Sequence, residues 1–197
     1  LVNDIHLNAN LIVNNMHLQE GRLGTGYIQA FWANSIKGIR GNGHITDFYK
    51  ELNRTTDVEG FIAPSQNDMD LKVTTHDTNA EFLNRFLAST FRNITGRTNG
   101  VLHIIGPLND VNLIGDISAD VDMRLRATNV NSHINPDDTI RLRPYQFVFN
   151  DIRLSDNLGN GAIVNGTLAH KNMKNFKYDF VINTQNLTIY DEHEFNS

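Results

Sequence analysis

Residues 111 to 127 read VNLIGDISADVDMRLRA, in which apolar and polar side chains alternate with a period of two. The odd positions hold Val, Leu, Gly, Ile, Ala, Val, Met, Leu and Ala, and the even positions are polar except for Ile114. Successive side chains of a β-strand point to opposite faces of the sheet, so this alternation predicts amphipathic strands. Because strands average only ~5–6 residues, we expect a break near Gly115 or Asp120 and two strands that share one phase.

The same alternation recurs along the chain, and clusters of Asn and Gly separate its runs. The further alternating runs are Leu7 to Val13, Met69 to Val73, Phe147 to Phe149, Ile152 to Leu154 and Phe176 to Ile182. Asn and Gly tolerate the positive φ angles of tight turns, so most connections are predicted to be hairpins or short bends. Pro144 has no N–H to donate, and we expect its strand to be bulged or to lie at a sheet edge.

Residues 78 to 91 depart from the period of two. Residues 78 to 81 read TNAE, which is the spacing of a capping box, and the apolar residues of FLNRFL at 82 to 87 follow at helical spacing. We therefore expect one short amphipathic helix from about Asn79 to Phe91. Its apolar stripe is predicted to pack as a cap or plug on the open face of the sheet.

Composition limits the classes of function that the chain can have. Its 197 residues include 17 Lys and Arg against 22 Asp and Glu, and the formal charge of -5 excludes a mainly electrostatic nucleic-acid binder. The absence of cysteine excludes disulfides and thiolate metal sites. The longest apolar run, AFWA at residues 30–33, is four residues long, far short of the ~20 that span a bilayer. Because the chain opens with Leu1 and carries no signal-peptide pattern, we interpret it as an excised piece of a longer protein.

Residue patterns that carry chemistry are weak in this chain. The eight histidines form no metal-binding pair, and we expect them to be isolated on the surface. Asp68 with Asp70, and Asp120 with Asp122, place two carboxylates on one strand face, but solvated faces of amphipathic strands explain both better than a glycosidase or calcium site does. The segment Asp156 to Gly161 is predicted to be a turn rather than a calcium loop. We therefore expect a protein that is not an enzyme and that uses no metal or cofactor.

The order of strands and glycines in the second half of the chain is more specific. Its landmarks, in chain order, are FLNRFL at 82–87, GVLHI at 100–104, GPL at 106–108, VNLIGDI at 111–117, RLRA at 124–127, IRL at 140–142, the strand pair at 147–154, the turn at 156–161, IVNGTLAH at 163–170, DFVI at 179–182 and NL at 186–187. This order resembles the TamB family, the inner-membrane component of the translocation and assembly module, which is related to AsmA-like bridge proteins. The resemblance covers roughly Phe82 to Tyr190, and the richness in Asn suggests a Bacteroidetes-like member. Residues 1–75 show the same alternation, so we expect residues 1–197 to form a single β-groove segment.

The resemblance implies a mostly β fold in which one long sheet curls along its axis as a β-taco, an open half-barrel or a β-solenoid-like groove. Family members are thought to carry phospholipid acyl chains between the inner and outer membranes along this groove. They are also linked to outer-membrane protein assembly with a barrel protein of the TamA or BamA type. We then expect this chain to be a periplasmic section of a parent protein anchored in the inner membrane, with end strands able to pair with copies of itself.

The resemblance also implies which side chains line the groove, as lipid contacts rather than catalytic groups. They are Val111, Leu113, Ile117, Val121, Met123, Leu125, Leu142, Phe147, Phe149, Ile152, Leu154, Val164, Leu168, Phe176, Tyr178, Phe180 and Ile182. A closed core would use the same alternation, so the phase alone does not distinguish a trough from a sealed interior.

Two other classes of protein fit the same composition. An extracytoplasmic β-sandwich or β-solenoid that binds glycans would need an exposed row of aromatic rings, whereas Trp32 is the only tryptophan. An enzyme on a β-helix would need Asp120 and Asp122 to converge with a third acid, and the sequence marks none.

Overall fold

The computed structural model describes residues 6–18, 21–49, 52–126, 129–172, 174–184 and 186. These residues form one twelve-stranded antiparallel sheet with one short helix, which confirms the mostly β, curled fold expected from the sequence. The elements are β1 (Asn8–Leu18), β2 (Gly21–Ala33), β3 (Gly38–Tyr49), β4 (Leu52–Ala63), a 3-10 turn (Pro64–Gln66), β5 (Asp68–Asn79), α1 (Leu83–Phe86), β6 (Phe91–Gly106), β7 (Asn112–Leu125), β8 (Asn131–Ile134), β9 (Thr139–Arg143), β10 (Gln146–Ser155), β11 (Gly161–Lys171) and β12 (Lys174–Thr184).

The sheet is a meander, because nearly every strand pairs with the strands that precede and follow it in the chain. The spatial order runs from β1 to β8 and continues with β10, β11 and β12. The short strands β8 and β9 share the position between β7 and β10. β8 pairs with the C-terminal half of β7 and the end of β10, whereas β9 pairs with the N-terminal half of β7 and the start of β10. In the described part of the chain, β1 and β12 are therefore the two edge strands.

The strand registers place apolar side chains on one face across the whole sheet. An unbroken series of cross-strand partners runs from the first strand to the last through Leu11, Ile28, Gly43, Val58, Val73, Leu102, Gly115, Leu142, Phe147, Leu168 and Tyr178. We call this side the inner face and the opposite side the outer face. The outer face carries ion pairs such as that of Lys72 with Glu59, whose Nζ and Oε1 atoms are 2.9 Å apart. This series gives the sheet a mainly apolar inner face.

The sheet curls towards its inner face, which brings together strands that a flat sheet would separate. Gly21 in β2 contacts Phe82, which follows β5, since a Cβ at Gly21 would lie 2.6 Å from the amide nitrogen of Phe82. In a flat sheet β2 and β5 lie three strand spacings apart, about 14 Å. Inner-face glycines permit this curvature. Gly60 has a φ of 147° and Gly115 a φ of 155°, and a Cβ at either would collide with a carbonyl oxygen of the neighbouring strand.

Residues 111–127 contribute a single strand, and the predicted break near Gly115 or Asp120 is wrong. β7 is 14 residues long because the 16-residue β6 pairs with it over its full length. The interruption falls instead in the next position of the sheet, between β8 and β9. Pro144 does not lie in a bulged or edge strand either. Pro144 and Tyr145, the latter at a φ of 61°, form the two-residue turn between β9 and β10. At this place the missing N–H of proline costs no hydrogen bond between strands.

The predicted helix is present, but it is one turn long. α1 spans only Leu83–Phe86, because Asn79 is still the last residue of β5 and Phe91 is already the first of β6. The expected span from Asn79 to Phe91 is therefore too long at both ends. The hydroxyl of Thr78 bonds to that of Thr56 at 2.7 Å and does not cap the helix. Strand pairing over a long distance in sequence overrides the local helical pattern here.

Candidate binding trough

The inner face is closed where the later strands meet the β5–β6 connection. Buried members of one packed cluster, between 1% and 6% exposed, are Ile94, Val121, Ile134, Ile152 and Val164. Ala80 in the connection is fully buried in the same cluster, and Leu83 and Leu87 pack against it. This part of the inner face is an ordinary closed core.

Residues 80–90, which we call the plug, cross the inner face at the end where β5 stops. The side-chain nitrogen of Asn84 donates to the carbonyl oxygen of Ile94 at 2.7 Å, and its side-chain oxygen accepts from the amide of Ile94 at 2.8 Å. Asn84 thus bonds to β6 much as a paired strand residue would. On the other side, Phe82 lies against Gly21 of β2. The plug therefore takes the position expected for a cap on the open face of the sheet.

The inner face of β1 to β5 is open. Large apolar side chains stay exposed there although they face the inside of the curl: Leu11 is 51% exposed, Ile39 40% and Ile62 37%. Ile28 and Val58, which lie between them, are half-buried rather than sealed. We call this open inner face of β1 to β5, which the plug closes at one end, the trough.

The lining residues predicted from the resemblance lie mostly in the closed part of the inner face. The buried ones, between 1% and 6% exposed, are Val121, Leu142, Ile152, Val164 and Leu168. The half-buried ones are Val111, Leu113, Ile117, Met123, Leu125, Phe147, Phe149, Leu154, Phe176 and Phe180. Tyr178 and Ile182, on the edge strand β12, are 70% and 52% exposed.

Sequence reasoning missed the exposed inner positions of β1, β3 and β4, which lie in the first third of the chain. Leu11, Ile39 and Ile62 belong to the same alternating pattern as the predicted lining residues. The resemblance does not reach them, because it starts near Phe82. A period of two also gives the face of a side chain without giving its exposure. The alternation of apolar and polar residues from Leu7 to Val13 was the sequence signal that could have identified Leu11 as an inner-face residue.

Aromatic rings close the inner face between β10 and β12. Phe149 and Phe180 meet edge to face with their ring centroids 5.2 Å apart. The imidazole of His170 lies between Phe147 and Phe176, at centroid distances of 5.1 Å and 5.9 Å. His170 is 6% exposed, so the expectation that all histidines are surface residues is wrong for this one. Burial lowers the pKa of its imidazole, because the charged form loses hydration.

Histidines on the outer face pair with carboxylates of neighbouring strands. The Nδ1 to Oδ1 distance is 2.6 Å for His44–Asp57, 3.0 Å for His103–Asp70 and 3.0 Å for His133–Asp122. Partners are 11 to 33 positions apart in the sequence, so only the strand register reveals the pairs. In the described ranges, no group of three or more His, Asp and Glu side chains could hold a metal ion.

Two other carboxylates organise turns. Asp156 Oδ1 accepts hydrogen bonds from the amides of Leu158 and Asn160, both at 2.9 Å, so this segment is a turn between β10 and β11. Asp138 accepts from the guanidinium and from the amide of Arg153. Burial raises the pKa of Asp138, but the hydrogen bonds and the charge of Arg153 together outweigh burial, and the pKa lies below its ordinary value.

The trough ends in a polar band beside the plug. Asp47 and Arg54 are direct partners across β3 and β4 on the inner face, and Arg22 Nε is 3.1 Å from Asp47 Oδ1. The side chain of Asp47 is 2% exposed. Next to this pair lies the buried hydroxyl bond between Thr56 and Thr78. Charges and hydroxyls therefore replace, at this end, the apolar side chains that line the rest of β3 and β4.

Comparison with known proteins gives no match, whether to a protein-family model, to a curated protein or to a solved structure. Within the described residues, no helix has the length and apolar character needed to cross a bilayer. The resemblance to the TamB family stays a prediction from the order of strands and glycines. Its last residues, Leu187 to Tyr190, lie outside the described residues.

Proposed function

We propose that this chain is a non-enzymatic, lipid-carrying segment of a TamB-like bridge protein, whose trough holds phospholipid acyl chains on their way between the inner and outer membranes. The segment lies in the periplasm, and its parent protein is anchored in the inner membrane. Other parts of the parent chain engage an outer-membrane barrel protein of the TamA or BamA type. The role served is outer-membrane biogenesis, including protein assembly and secretion. The family assignment is drawn from the order of strands and glycines over residues 82–190.

The observation that carries the lipid proposal is the exposure of apolar side chains on the inside of the curl. Leu11, Ile39 and Ile62 are between 37% and 51% exposed on a face that is apolar except for the polar band beside the plug. Contiguous apolar surface of this kind marks a binding site in soluble proteins. An acyl chain suits it, because a flexible hydrocarbon needs only an unbroken apolar surface and no hydrogen bond.

The hydrophobic effect makes such a trough useful to a lipid in transit. At ~0.8 kcal/mol per methylene, a ~15-carbon chain surrounded by water costs about 12 kcal/mol. A trough that covers half of the chain removes about 6 kcal/mol of that cost. Because the sheet is curled, its lining can contact the chain from several strands at once.

A glycan-binding module was the other class that the sequence left open. In its β-sandwich form it needs two sheets that face each other, whereas the described strands form one sheet. Its binding face also needs a row of neighbouring exposed rings on one surface. Tyr27 and Phe31 lie on the outer face of β2, four positions apart, which separates them by about 13 Å. The stacked rings of Tyr178 and Phe180, 6.5 Å apart, are confined to the edge strand β12. The exposed apolar inner face therefore favours lipid.

Lipid analysis of the purified chain gives the first test. Organic extracts examined by mass spectrometry are expected to contain phospholipid in amounts close to one molecule per chain. Protein purified with the same detergent-free protocol but carrying Ile62→Arg is the comparison, since a charge at this inner position costs free energy when an acyl chain covers it. Equal lipid content in the two proteins contradicts the proposal.

Photocrosslinking at adjacent residues of opposite faces gives a sharper test. A photoreactive amino acid replaces Leu11, on the inner face, or Ile12, on the outer face, which are 51% and 67% exposed. The pair Ile182 and Val181, at 52% and 61% exposed on the edge strand β12, lies outside the trough and is the control. After irradiation with phospholipid vesicles, lipid adducts are expected at Leu11 and not at Ile12, Ile182 or Val181. Labelling of both faces to the same extent means that the inner face is not a lipid site.

A further inference from the structure

We infer that the polar band beside the plug binds the phosphate group of the lipid, and that Arg22 is the side chain that contacts it. This inference rests on the proposed function and adds a headgroup site to the surface for the acyl chain. The ligand is an amphiphile with a negatively charged phosphate ester, whose hydrocarbon lies on the apolar inner face next to the band. Three features carry the inference: where charge lies on the inner face, how Arg22 is held, and how far it is from apolar surface.

Charge is confined to one place on the inner face of β2 to β4. At the inner positions that the strand registers give, the described side chains are apolar, aromatic, glycine or threonine except for Arg22, Asp47 and Arg54. Asp47 lies on β3, with Arg22 on its β2 side and Arg54 on its β4 side. A negatively charged headgroup that follows an acyl chain onto this face therefore meets guanidinium groups at the band and not elsewhere on the described parts of these strands.

Arg22 is held by a buried carboxylate and still presents its outer nitrogens. Its Nε is 3.1 Å from Asp47 Oδ1, and the side chains of Arg22 and Asp47 are 52% and 2% exposed. Because a buried carboxylate without a cation is costly, this ion pair fixes the position of the guanidinium. Asp47 is the only partner of Arg22 within the described ranges, and neither Nη atom donates a hydrogen bond there. A guanidinium presented in this way can bind two oxygens of one phosphate through parallel hydrogen bonds.

The band adjoins the apolar surface that would hold the acyl chain. On β3, Ile45 is the next inner-face residue from Asp47, so the first apolar side chain lies about 7 Å along the strand. The glycerol unit of a phospholipid bridges a similar distance between the phosphate and the acyl chain. Beyond Ile45 the inner face of β3 is apolar or glycine as far as Ile39. A phospholipid can therefore place its phosphate on Arg22 and its acyl chain on the trough lining at the same time.

The exposure of Arg22 makes this site compatible with transport. About half of its side chain is accessible to solvent, so a phosphate can arrive and leave without displacement of Phe82 or the rest of the plug. Asp47 is already buried by the protein itself, so a bound headgroup takes no hydration from it. The band is thus a place where a lipid pauses and not an end of its path.

Two amphiphiles with the same chain test the site in isothermal titration calorimetry below their micellar concentrations. Lauroyl lysophosphatidylglycerol carries a charged phosphate diester, and monolauroylglycerol carries no charge. Arg22→Gln should weaken binding of the lysophospholipid at least about tenfold and leave that of monolauroylglycerol unchanged. The matched control is Arg143→Gln, which removes an arginine of the outer face that is 40% exposed and lies 3.2 Å from Asp116, and it should change neither affinity.

Each other outcome has a distinct meaning. Equal binding of the lysophospholipid by the native protein and by folded Arg22→Gln overturns the headgroup site while leaving lipid binding intact. Inorganic phosphate that competes as strongly as the lysophospholipid makes this a site for free phosphate and overturns the lipid assignment. Binding of neither amphiphile by the native protein contradicts the proposed function itself.

A second pair of variants decides if Arg22→Gln fails to fold, since that substitution leaves the buried carboxylate of Asp47 without its cation. Asp47→Asn removes the buried charge, and Asp47→Asn with Arg22→Gln differs from it only at Arg22. The double variant should bind lauroyl lysophosphatidylglycerol at least about tenfold more weakly than Asp47→Asn does, with the same circular dichroism spectrum. Equal affinities in these two proteins overturn the assignment of the phosphate to Arg22.

Discussion

Alanine substitution of one isoleucine in each part of the inner face should separate the closed core from the trough. Ile152 is 1% exposed within the packed cluster, and Ile62 is 37% exposed in the trough. Losing three carbons from a buried Ile costs ~2.4 kcal/mol in transfer free energy, and the cavity raises the total to about 3–4 kcal/mol. At Ile62 the exposed fraction reduces the transfer cost to about 1.5 kcal/mol, and no cavity forms, because solvent reaches the site.

We therefore expect Ile152→Ala to lower the free energy of unfolding by about 2 kcal/mol more than Ile62→Ala does. Urea denaturation followed by circular dichroism measures both, and an unchanged m-value shows that the two variants unfold from equally compact states. Lipid-free protein is required, since a bound chain would itself cover Ile62. If the two substitutions cost the same, the inner face of β4 is as sealed as that of β10, and the trough does not exist.

Three further predictions concern the curvature and the titrating groups. Gly60→Ala should destabilise the protein by about 2–3 kcal/mol, because the φ of 147° at Gly60 is strained for alanine. Gly43→Ala should cost under about 1 kcal/mol, because a Cβ at Gly43 would lie 3.6 Å from the nearest atom. Thermal unfolding measures both. Arg153→Gln should raise the pKa of Asp138 in a carboxyl NMR titration, because the burial of Asp138 remains after the guanidinium that lowers its pKa is removed. In the native protein the pair of Asp138 and Arg153 adds stability above the ordinary carboxyl pKa. This stability is lost as the pH falls through the lowered pKa of Asp138. Burial lowers the pKa of His170, so the unfolded chain takes up the proton first and the fold is expected to lose stability as the pH drops through ~6.5. His170→Gln should therefore flatten the dependence of the urea midpoint on pH between about 7 and about 5. An equal slope in both proteins would exclude this role for His170.

The class of fold follows from the sequence because a period of two is a direct consequence of strand geometry. Residues 111–127 show both the strength of that signal and its limit. Their phase predicts which side chains share a face, and the structure places them there. Their strand length depends on β6, which begins twenty positions earlier in the chain and pairs along the whole of β7. A local pattern does not contain that information, so the predicted break is wrong.

The helix and the trough show the same dependence on distant residues. The pattern over residues 78–91 is helical by spacing, but the pairing of β5 with β6 takes its first residues and the pairing of β6 with β7 takes its last one, Phe91. Leu11 and Ile152 are both apolar inner-face residues, yet one is 51% exposed and the other 1%. The difference arises from where the sheet curls and where residues 80–90 cross it. Neither can be obtained from the alternation.

The meander arrangement makes the width of the sheet adjustable in whole units. Because most strands pair only with their neighbours in the chain, one hairpin gained or lost leaves the hydrogen-bond partners of the remaining strands intact. Each such unit changes the arc by about 10 Å, the spacing of two strands. A gene that duplicates or deletes one hairpin can thus resize the molecule in a single event, whereas single substitutions at positions such as Gly60 disturb the backbone instead.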